Sequence, residues 1–426
     1  MRQTKTSKIE WLGKYPADWQ LKKIKYCLQE RIEKNSPIKS TNILSLTAKQ
    51  GVIPYSEKEG GGNKPKEDVS AYRLAYPGDI VMNSMNILSG AVGLSKYFGC
   101  VSPVYYMLRP KDSSEDVRFY NYIFQTTVFQ RSLYGLGNGI LIKESGNGKL
   151  NTIRMRIPME KFNMLFLPVA PAPEQYKIAN FLDTKCAEID ALTQDIRTQI
   201  DTLQQYKQSV ITEAVTKGLD PNVELKDSGI EWIGKISSDF RITHLKYVCL
   251  VLDGHRKPIA ADKRTQNAEK LYDYYGASGV IDQIDGYTID DDVLLIGEDG
   301  ANLVLRNLPL IYQVHGKAWI NNHAHILKPK KELNYYYAYY MLESLDIHIY
   351  ITGSAQPKFN QLALLNMFII LPPYKKQCEI AHYLNTKCTE IDDIIAEKNK
   401  QLDILANYKK SLIYEYVTGK KEVPSA

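Results

Sequence analysis

Apolar residues recur every seven positions along two stretches of this chain. Leu182, Ile189, Ile196, Leu203 and Val210 mark the first, with Leu192 and Tyr206 three residues after two of them. Leu384, Ile391, Lys398, Leu405 and Leu412 mark the second, with Ile394 and Tyr408 placed alike. Such a period is the seam of a coiled coil. No Gly or Pro occurs from Glu174 to Lys217 or from Tyr374 to Thr418, and Gly218 and Gly419 follow as C-terminal stops. A helix of about 43 residues extends roughly 65 Å. That is too much apolar stripe for one small core, so the two helices are expected to cover each other, antiparallel about a pseudo-two-fold axis. Leu182, Ile189 and Leu203 would then lie against Leu384, Ile391, Leu405 or their neighbours. Two surface helices on separate cores are the alternative. Lys398 interrupts the second seam: either it fixes register, or its long stem snorkels to the edge.

The two stretches are copies. Residues 178–190 read IANFLDTKCAEID and residues 380–392 read IAHYLNTKCTEID, an offset of 202. Pro171, Gln175, Tyr206, Lys207, Ser209 and Glu213 return as Pro373, Gln377, Tyr408, Lys409, Ser411 and Glu415. Upstream, Ile9-Glu10-Trp11-Leu12-Gly13-Lys14 returns as Ile230-Glu231-Trp232-Ile233-Gly234-Lys235, and Lys25-Tyr26 as Lys246-Tyr247, at an offset of 221. A long fixed period means two copies of one folding unit. The copies enclose unequal inserts, which suggests one frame holding two different readers.

Within the inserts, short β-rich runs such as Gly78-Asp79-Ile80-Val81 and Asp292-Val293-Leu294-Leu295-Ile296 are bounded by turn residues. Aromatic helical runs follow, Phe119 to Phe129 and Tyr335 to Leu342, and Met107-Leu108-Arg109-Pro110 parallels Ile326-Leu327-Lys328-Pro329. The predicted fold class is therefore α/β: two mixed domains and two long helices forming an antiparallel coiled coil, as an internal pseudo-two-fold repeat. The expected divisions are an N-terminal repeat segment at 1–26, a first domain at 27–170 and a central helix at 171–220. A second domain at 221–372, including the lead-in at 227–247, and a distal helix at 373–426 complete them.

The length of 426 residues accommodates two or three cores, and 44% hydrophobic with 24% charged residues is ordinary globular composition. The polar start lacks an apolar h-region, and no apolar run reaches the length of a membrane span. Six scattered cysteines without a CxxC pair suggest free thiols in a reducing cytoplasm. A net charge of +6 is a mild hint of a polyanionic partner.

Catalytic motifs are missing. Gly146-Asn147-Gly148-Lys149-Leu150 lacks the spacing and the hydroxyl of a phosphate-cradling loop, and no GxGxxG follows a strand. Leu371-Pro372-Pro373-Tyr374 superficially resembles the tetrapeptide with which amino-methyltransferases hold a flipped adenine. Leu371 cannot accept the hydrogen bond that this grip needs, so the run reads as a strand end leading into a helix. His323-Ala324-His325 has no further ligand at metal-site spacing, and all seven histidines follow residue 243, so no His-based site recurs in both halves.

What remains are polar, basic loops punctuated by Gly. The first insert offers Lys64, Lys66, Asn83, Asn86, Asn138 and Lys143; the second offers Arg256, Lys257, Asn302, Arg306, Asn321, Asn322, Gln356 and Lys358. These side-chain types read base edges or hold phosphates. Any one of them, taken alone, reads better as a solvated loop residue. As a set, in two related domains on a spacer, they point to double-stranded DNA.

The whole chain resembles a specificity subunit of a type I DNA restriction–modification system. The resemblance rests on Asp227-Ser228-Gly229-Ile230-Glu231-Trp232-Ile233-Gly234 and its first copy, and on Pro171-Ala172-Pro173-Glu174-Gln175 with Ile178-Ala179 and Leu182. It rests also on Tyr275-Gly276-Ala277-Ser278-Gly279 with Glu298-Asp299-Gly300-Ala301-Asn302. One departure is Lys376, which stands where the first copy has Glu174. The resemblance implies a non-catalytic DNA reader whose two target recognition domains each read half of a bipartite target, while the helices set the unread gap. It implies two modification subunits, carrying S-adenosylmethionine, that dock on the helices and methylate adenine N6. ATP- and Mg-dependent restriction subunits would complete the complex; no cofactor, metal or membrane is expected on this chain. A methyltransferase or nuclease with its own catalysis, and a coiled-coil scaffold without a nucleic-acid role, are the competing readings.

Overall fold

A computed structural model describes residues 2–47, 50–58, 64–137, 156–261, 264, 270–353 and 356–424. The chain forms two units: Met1–Ile196 with Lys400–Ala426, and Arg197–Asn399. Each is built around a four-stranded antiparallel sheet. In the first unit the strands are β1 (Leu28–Glu30), β2 (Ile80–Asn83), β3 (Val92–Leu94) and β4 (Tyr105–Pro110), in the order β1-β4-β2-β3. In the second they are β5 (Cys249–Val251), β6 (Val293–Gly297), β7 (Ile311–Val314) and β8 (Ala324–Pro329), in the order β5-β8-β6-β7. First, last, second, third: the connectivity is the same in both. The predicted strand runs sit within one or two residues of β2 and β6, because a short apolar run, buried throughout, is bounded by turn residues in each.

The aromatic run of the first insert is not one helix. It divides into α1 (Val117–Gln125) and a short helix at Thr127–Ser132. Thr126 breaks it by adopting an extended conformation and capping the second piece, its hydroxyl accepting from the Phe129 N–H. The first long helix, α2, spans Ala172–Lys217. The run of the second insert forms α3 (Tyr335–Ser344), capped by Asn334, and the second long helix is α4 (Tyr374–Val417). Pro173 falls in the first turn of α2, where a missing N–H costs nothing.

Each unit contains half of each long helix. In the first unit Phe181 stacks on Tyr416, with ring centroids 4.5 Å apart, and Lys409 Nζ binds Asp190 at 2.6 Å. In the second, Lys207 Nζ binds Asp392 at 2.6 Å, and Lys398 donates to Gln199 Oε1. Rising numbers on one helix meet falling numbers on the other, so the paired segments run in opposite directions. Leu182 and Ile189 consequently share a core with Leu412, Ile413 and Tyr416, while Leu384 packs with Ile211, Ala214 and Val215. Of the partners expected for Leu182 and Ile189, Leu405 packs against their core, whereas Leu384 lies in the core of the other unit.

The seam also differs from the sequence reading at alternate positions. Leu182, Ile189, Ile196, Leu384, Ile391 and Leu412 are buried, and Leu203, Val210, Lys398 and Leu405 are half-buried. Leu192, Tyr206, Ile394 and Tyr408, three residues after a leader, are exposed. The inward residue comes four after each leader: Cys186, Thr193, Ile200, Lys207 and Ala214 on α2, and Cys388, Ile395, Leu402, Lys409 and Tyr416 on α4. Several of these are polar or small, so hydropathy alone favoured the neighbouring face. Lys207 and Lys409 lie along the seam by their stems and end on Asp392 and Asp190.

The repeated lead-ins form equivalent hairpins, Thr4–Thr6 with Lys14–Pro16 and Leu225–Asp227 with Lys235–Ser237. The first packs on the end of α4, where Tyr414 Oη donates to Trp11 O at 3.0 Å and Lys420 Nζ to Leu12 O at 2.9 Å. The second packs on the end of α2, placing Ile236 and Phe240 in one core with Ile211 and Ala214.

Repeated buried polar residues join the helices to the sheets. Gln175 accepts from the Asp116 N–H at 3.0 Å and donates to Ala170 O at 2.9 Å. Gln377 accepts from the Asn334 N–H at 2.8 Å and donates to Pro372 O at 2.9 Å and Glu332 O at 3.0 Å. Each amide thus holds the residue that caps α1 or α3. Burial without such partners would cost about 1–3 kcal/mol per group.

The Glu174 and Lys376 departure has a local cause. Trp19 is buried and its indole N–H donates to Glu174 Oε2 at 2.9 Å, with Arg2 Nη2 donating to the same oxygen at 2.8 Å. In the second copy Phe240 replaces Trp19, so no indole N–H needs an acceptor. Lys376 instead pairs with Asp239 at 2.8 Å and lies 5.9 Å from the Phe240 ring centroid. The charge at the helix start follows the ring beneath it.

Candidate nucleic-acid interface

The ends of the four-stranded sheets gather the polar loops. In the second unit the segment after β5, the segment after β6 and the segment before β8 all emerge at one end, since Gly297 pairs with Ala324 and Val251 with Leu327. The chain returns to the same end when the Phe359 N–H donates to Glu298 O at 2.8 Å. Arg256, Lys257, Asn302, Asn321, Asn322, Gln356 and Lys358 therefore share one region.

Their roles within it divide. Arg256 Nη1 binds Glu298 Oε2 at 2.6 Å, and its Nε donates to Asp253 O at 3.2 Å, so it clasps two loops together. Lys358 Nζ lies 3.9 Å from Glu298 Oε1. Asn302 Nδ2 donates to Pro309 O at 3.1 Å, and its Oδ1 accepts from the Leu308 N–H at 2.8 Å. Asn321 is buried and accepts from the His323 N–H at 2.8 Å. Arg306 sits with φ 51°, its Nη2 donating inward to Leu345 O at 2.6 Å. Burial pushes its pKa below the ordinary value. Lys257, Asn322, Gln356 and Lys358 are exposed.

The two histidines around Ala324 each turn to a separate carboxylate. His323 Nδ1 lies 2.8 Å from Asp299 Oδ2 at the surface. His325 is buried, with Nδ1 2.6 Å from Asp253 Oδ2 and Nε2 2.8 Å from Phe359 O. Burial pushes the Asp253 carboxyl up. Hydrogen bonds from His325 and the Ile326 N–H outweigh this and hold it below the usual carboxylate range. That pair pins the loop after β5 to the start of β8 and to Phe359. The sequence reading did not assign this role to Asp253 or His325; a buried His and Asp far apart in sequence leave no local signal.

In the first unit the equivalent end carries Asn83 and Asn86. Asn83 is buried and its Oδ1 accepts from the Met85 N–H at 3.0 Å, while Asn86 is exposed. The Ile157 N–H donates to Ser84 O at 3.0 Å, the counterpart of the Phe359–Glu298 bond. Lys64 and Lys66 are exposed, and the Lys66 N–H donates to Tyr72 Oη at 3.1 Å. Because the Asn35 N–H donates to Tyr72 O, this segment is tied to the loop that follows β1. Asn138 and Lys143 lie outside the described residues. Equivalent ends of two equivalent sheets thus present different side chains. No helix among the described residues is long and apolar enough to cross a membrane.

Comparisons with known proteins agree with this architecture. Residues 238–403 match the family model described as the type I restriction modification DNA specificity domain. A Haemophilus influenzae protein named as a type I restriction enzyme specificity subunit is 30% identical over 161 residues, 38% of this chain and 38% of that protein. A Methanocaldococcus jannaschii protein named as the MjaX specificity subunit is 23% identical over 439 aligned positions, covering 97% of this chain and 96% of the relative. Among solved structures, a chain from a study of complex assembly and conformational transition in a type I restriction–modification system has the same fold. Its TM-score is 0.68 at 13% identity, covering 96% of this chain and 99% of that one. With a specificity-domain match in its second unit and a specificity-subunit relative along nearly its whole length, the chain is similar to type I restriction–modification specificity subunits.

Proposed function

We propose that this chain is the DNA reader of a type I complex, each unit reading one half of a bipartite target. The observation that carries the reading is the contrast between shared frame and divergent loops. Sheet order, lead-ins, buried glutamines and helix pairs recur, whereas the loop ends offer Asn86 and Lys64 in one unit and Lys257, Asn322, Gln356 and Lys358 in the other. Readers of 27–170 and 221–372 would contact bases and phosphates through those exposed side chains, with Asn302, Arg306 and Asn321 shaping the loops. The long helices act as an antiparallel coiled coil, the spacer that sets the unread gap. The reciprocal Lys207–Asp392 and Lys409–Asp190 pairs support this.

Catalysis belongs to partners. Two modification subunits, with S-adenosylmethionine, would flip and methylate one adenine each at N6. Restriction subunits, with ATP and Mg, would translocate and cleave unmethylated DNA. Exposed Leu192 and Tyr408 in one unit, and Ile394 and Tyr206 in the other, recur at one heptad position outside the seam, and support docking on the helices. The test is co-expression with the modification subunit of the same system and genome-wide mapping of methylated adenines. Exchange of residues 27–170 for another reader should alter one half of the methylated motif. If both halves change together, the units are not independent readers.

A further inference from the structure

Repetition within one chain separates residues kept for packing from residues kept for another reason. Most repeated side chains are buried or paired across the helices. Lys25-Tyr26 and Lys246-Tyr247 are neither. Tyr26 is 64% exposed and Tyr247 62%. Each ring is covered on one face by the preceding lysine, whose Nζ lies 5.0 Å and 5.3 Å from the centroid. Neither lysine has a carboxylate within 4 Å among the described residues, and Lys246 Nζ donates to the neutral Asn366 Oδ1 at 2.8 Å.

The surroundings recur too. The Lys111 N–H donates to Cys27 O and the Lys330 N–H to Val248 O, both at 2.8 Å, so a second lysine borders each pair. Lys330 Nζ also donates to Tyr247 O at 3.0 Å. The Ile24 N–H donates to Leu165 O at 2.8 Å, which brings exposed Met164 and Phe166 alongside Tyr26. The Leu245 N–H donates to Met367 O at 3.0 Å, which brings Asn366 and half-buried Phe368 to the same place, with exposed Leu362 on the adjoining short helix Gln361–Leu365. Each unit therefore presents an exposed tyrosine between lysines and an apolar rim.

Its position argues against base reading. Lys246-Tyr247 precede β5 and Lys330 follows β8, whereas the Arg256, Glu298 and Asn322 loops lie at the other end of those strands. Lys25-Tyr26 and Lys111 stand likewise against Asn83 and Asn86 in the first unit. A feature repeated in both units at this end is independent of the side chains that differ at the other. Phosphates would need the lysines alone. An aromatic ring with an apolar rim is the composition of a protein interface centre, and lysines that have no carboxylate partner among the described residues of their unit call for an acidic counterpart.

We infer that each Lys–Tyr patch docks the acidic, partly apolar surface of one modification subunit, in addition to any contact on the helices. This rests on the functional reading above. The test uses the full chain co-purified with its modification subunit, with native mass spectrometry for stoichiometry and a titration for affinity, both without DNA, and then a titration with a random-sequence duplex. Tyr26→Ala or Tyr247→Ala should each weaken one of two docking steps by roughly tenfold, the scale of a truncated interface ring, leaving complexes with a single modification subunit. Lys25→Glu with Lys246→Glu should weaken both and flatten the salt dependence of assembly. Circular dichroism confirms folding of these surface variants. Variants that all recruit two modification subunits with parental affinity overturn the inference while the functional reading stands. Unchanged assembly with weaker binding of a random-sequence duplex overturns it in favour of a DNA-backbone contact. A parent chain that recruits no modification subunit removes the functional reading and this surface with it.

Discussion

Residues 1–219 contain one lead-in, one four-stranded sheet and one long helix, and are expected to form a homodimer. In the intact chain Leu182, Cys186 and Ile189 are buried in a core completed by Leu412, Ile413, Tyr416 and Val417. A second copy of the half-chain offers Val210, Ile211, Ala214 and Val215 at the same places, by a true two-fold operation. The aliphatic seam survives, and Ile196 stands where Lys398 interrupted it. One feature is lost at each of the two sites: Ala214 replaces Tyr416, so Phe181 loses its ring partner. The second unit already shows the consequence, since Ala214 and Tyr383, the counterpart of Phe181, line an open groove of about 640 Å³. An aromatic pair is worth about 0.5–1.5 kcal/mol beyond its burial, itself about 1.5–3 kcal/mol. Refitting a large side chain costs about 1–3 kcal/mol. Ala214→Tyr should then recover about 1 kcal/mol per site and tighten the dimer by roughly thirtyfold over two sites. Sedimentation equilibrium over a concentration series measures this directly. A folded monomer at micromolar concentration, or an Ala214→Tyr half-chain no tighter than its parent, refutes the seam argument. With modification subunits the dimer should methylate a target whose halves are inverted repeats.

Glu174→Lys should destabilise the first unit by about 2–3 kcal/mol, because it orphans the Trp19 indole N–H and places a cation beside Arg2. Adding Trp19→Phe should return part of the loss, and a melting temperature indifferent to Glu174→Lys would contradict the account of Lys376. The depressed pKa of Asp253 stabilises the fold above the ordinary carboxylate value of 3.8, and this is lost as pH falls through the lower folded value. Asp253→Asn should lower stability at neutral pH and flatten the acid limb of a melting-temperature profile; an unchanged limb would show that the His325 pair carries no linkage.

Repetition, periodicity and turn residues made the frame legible in the sequence. Leu182, Ile189, Leu384 and Ile391 are buried as the seven-residue period requires, because a helix turns the same face every seven positions whatever it meets. Strands β2 and β6 were marked by their own apolar runs and bounding turns. The partner across the seam was not written there. Only packing decided that Lys207 and Lys409 face inward while Tyr206 and Tyr408 face out, since a lysine stem buries well when an Asp on the facing helix receives its charge. Composition likewise grouped Arg256, Asn302, Arg306 and Asn321 with the exposed loop residues as one set of contacts. The folded chain turned these four toward Glu298, Pro309 O, Leu345 O and the His323 N–H, because hydrogen-bonding groups near a loop core must find partners there. A side chain's type is local and can be read along the chain. Whether it meets solvent, a neighbour or a ligand depends on what the fold packs around it, and only the folded chain brings those groups together.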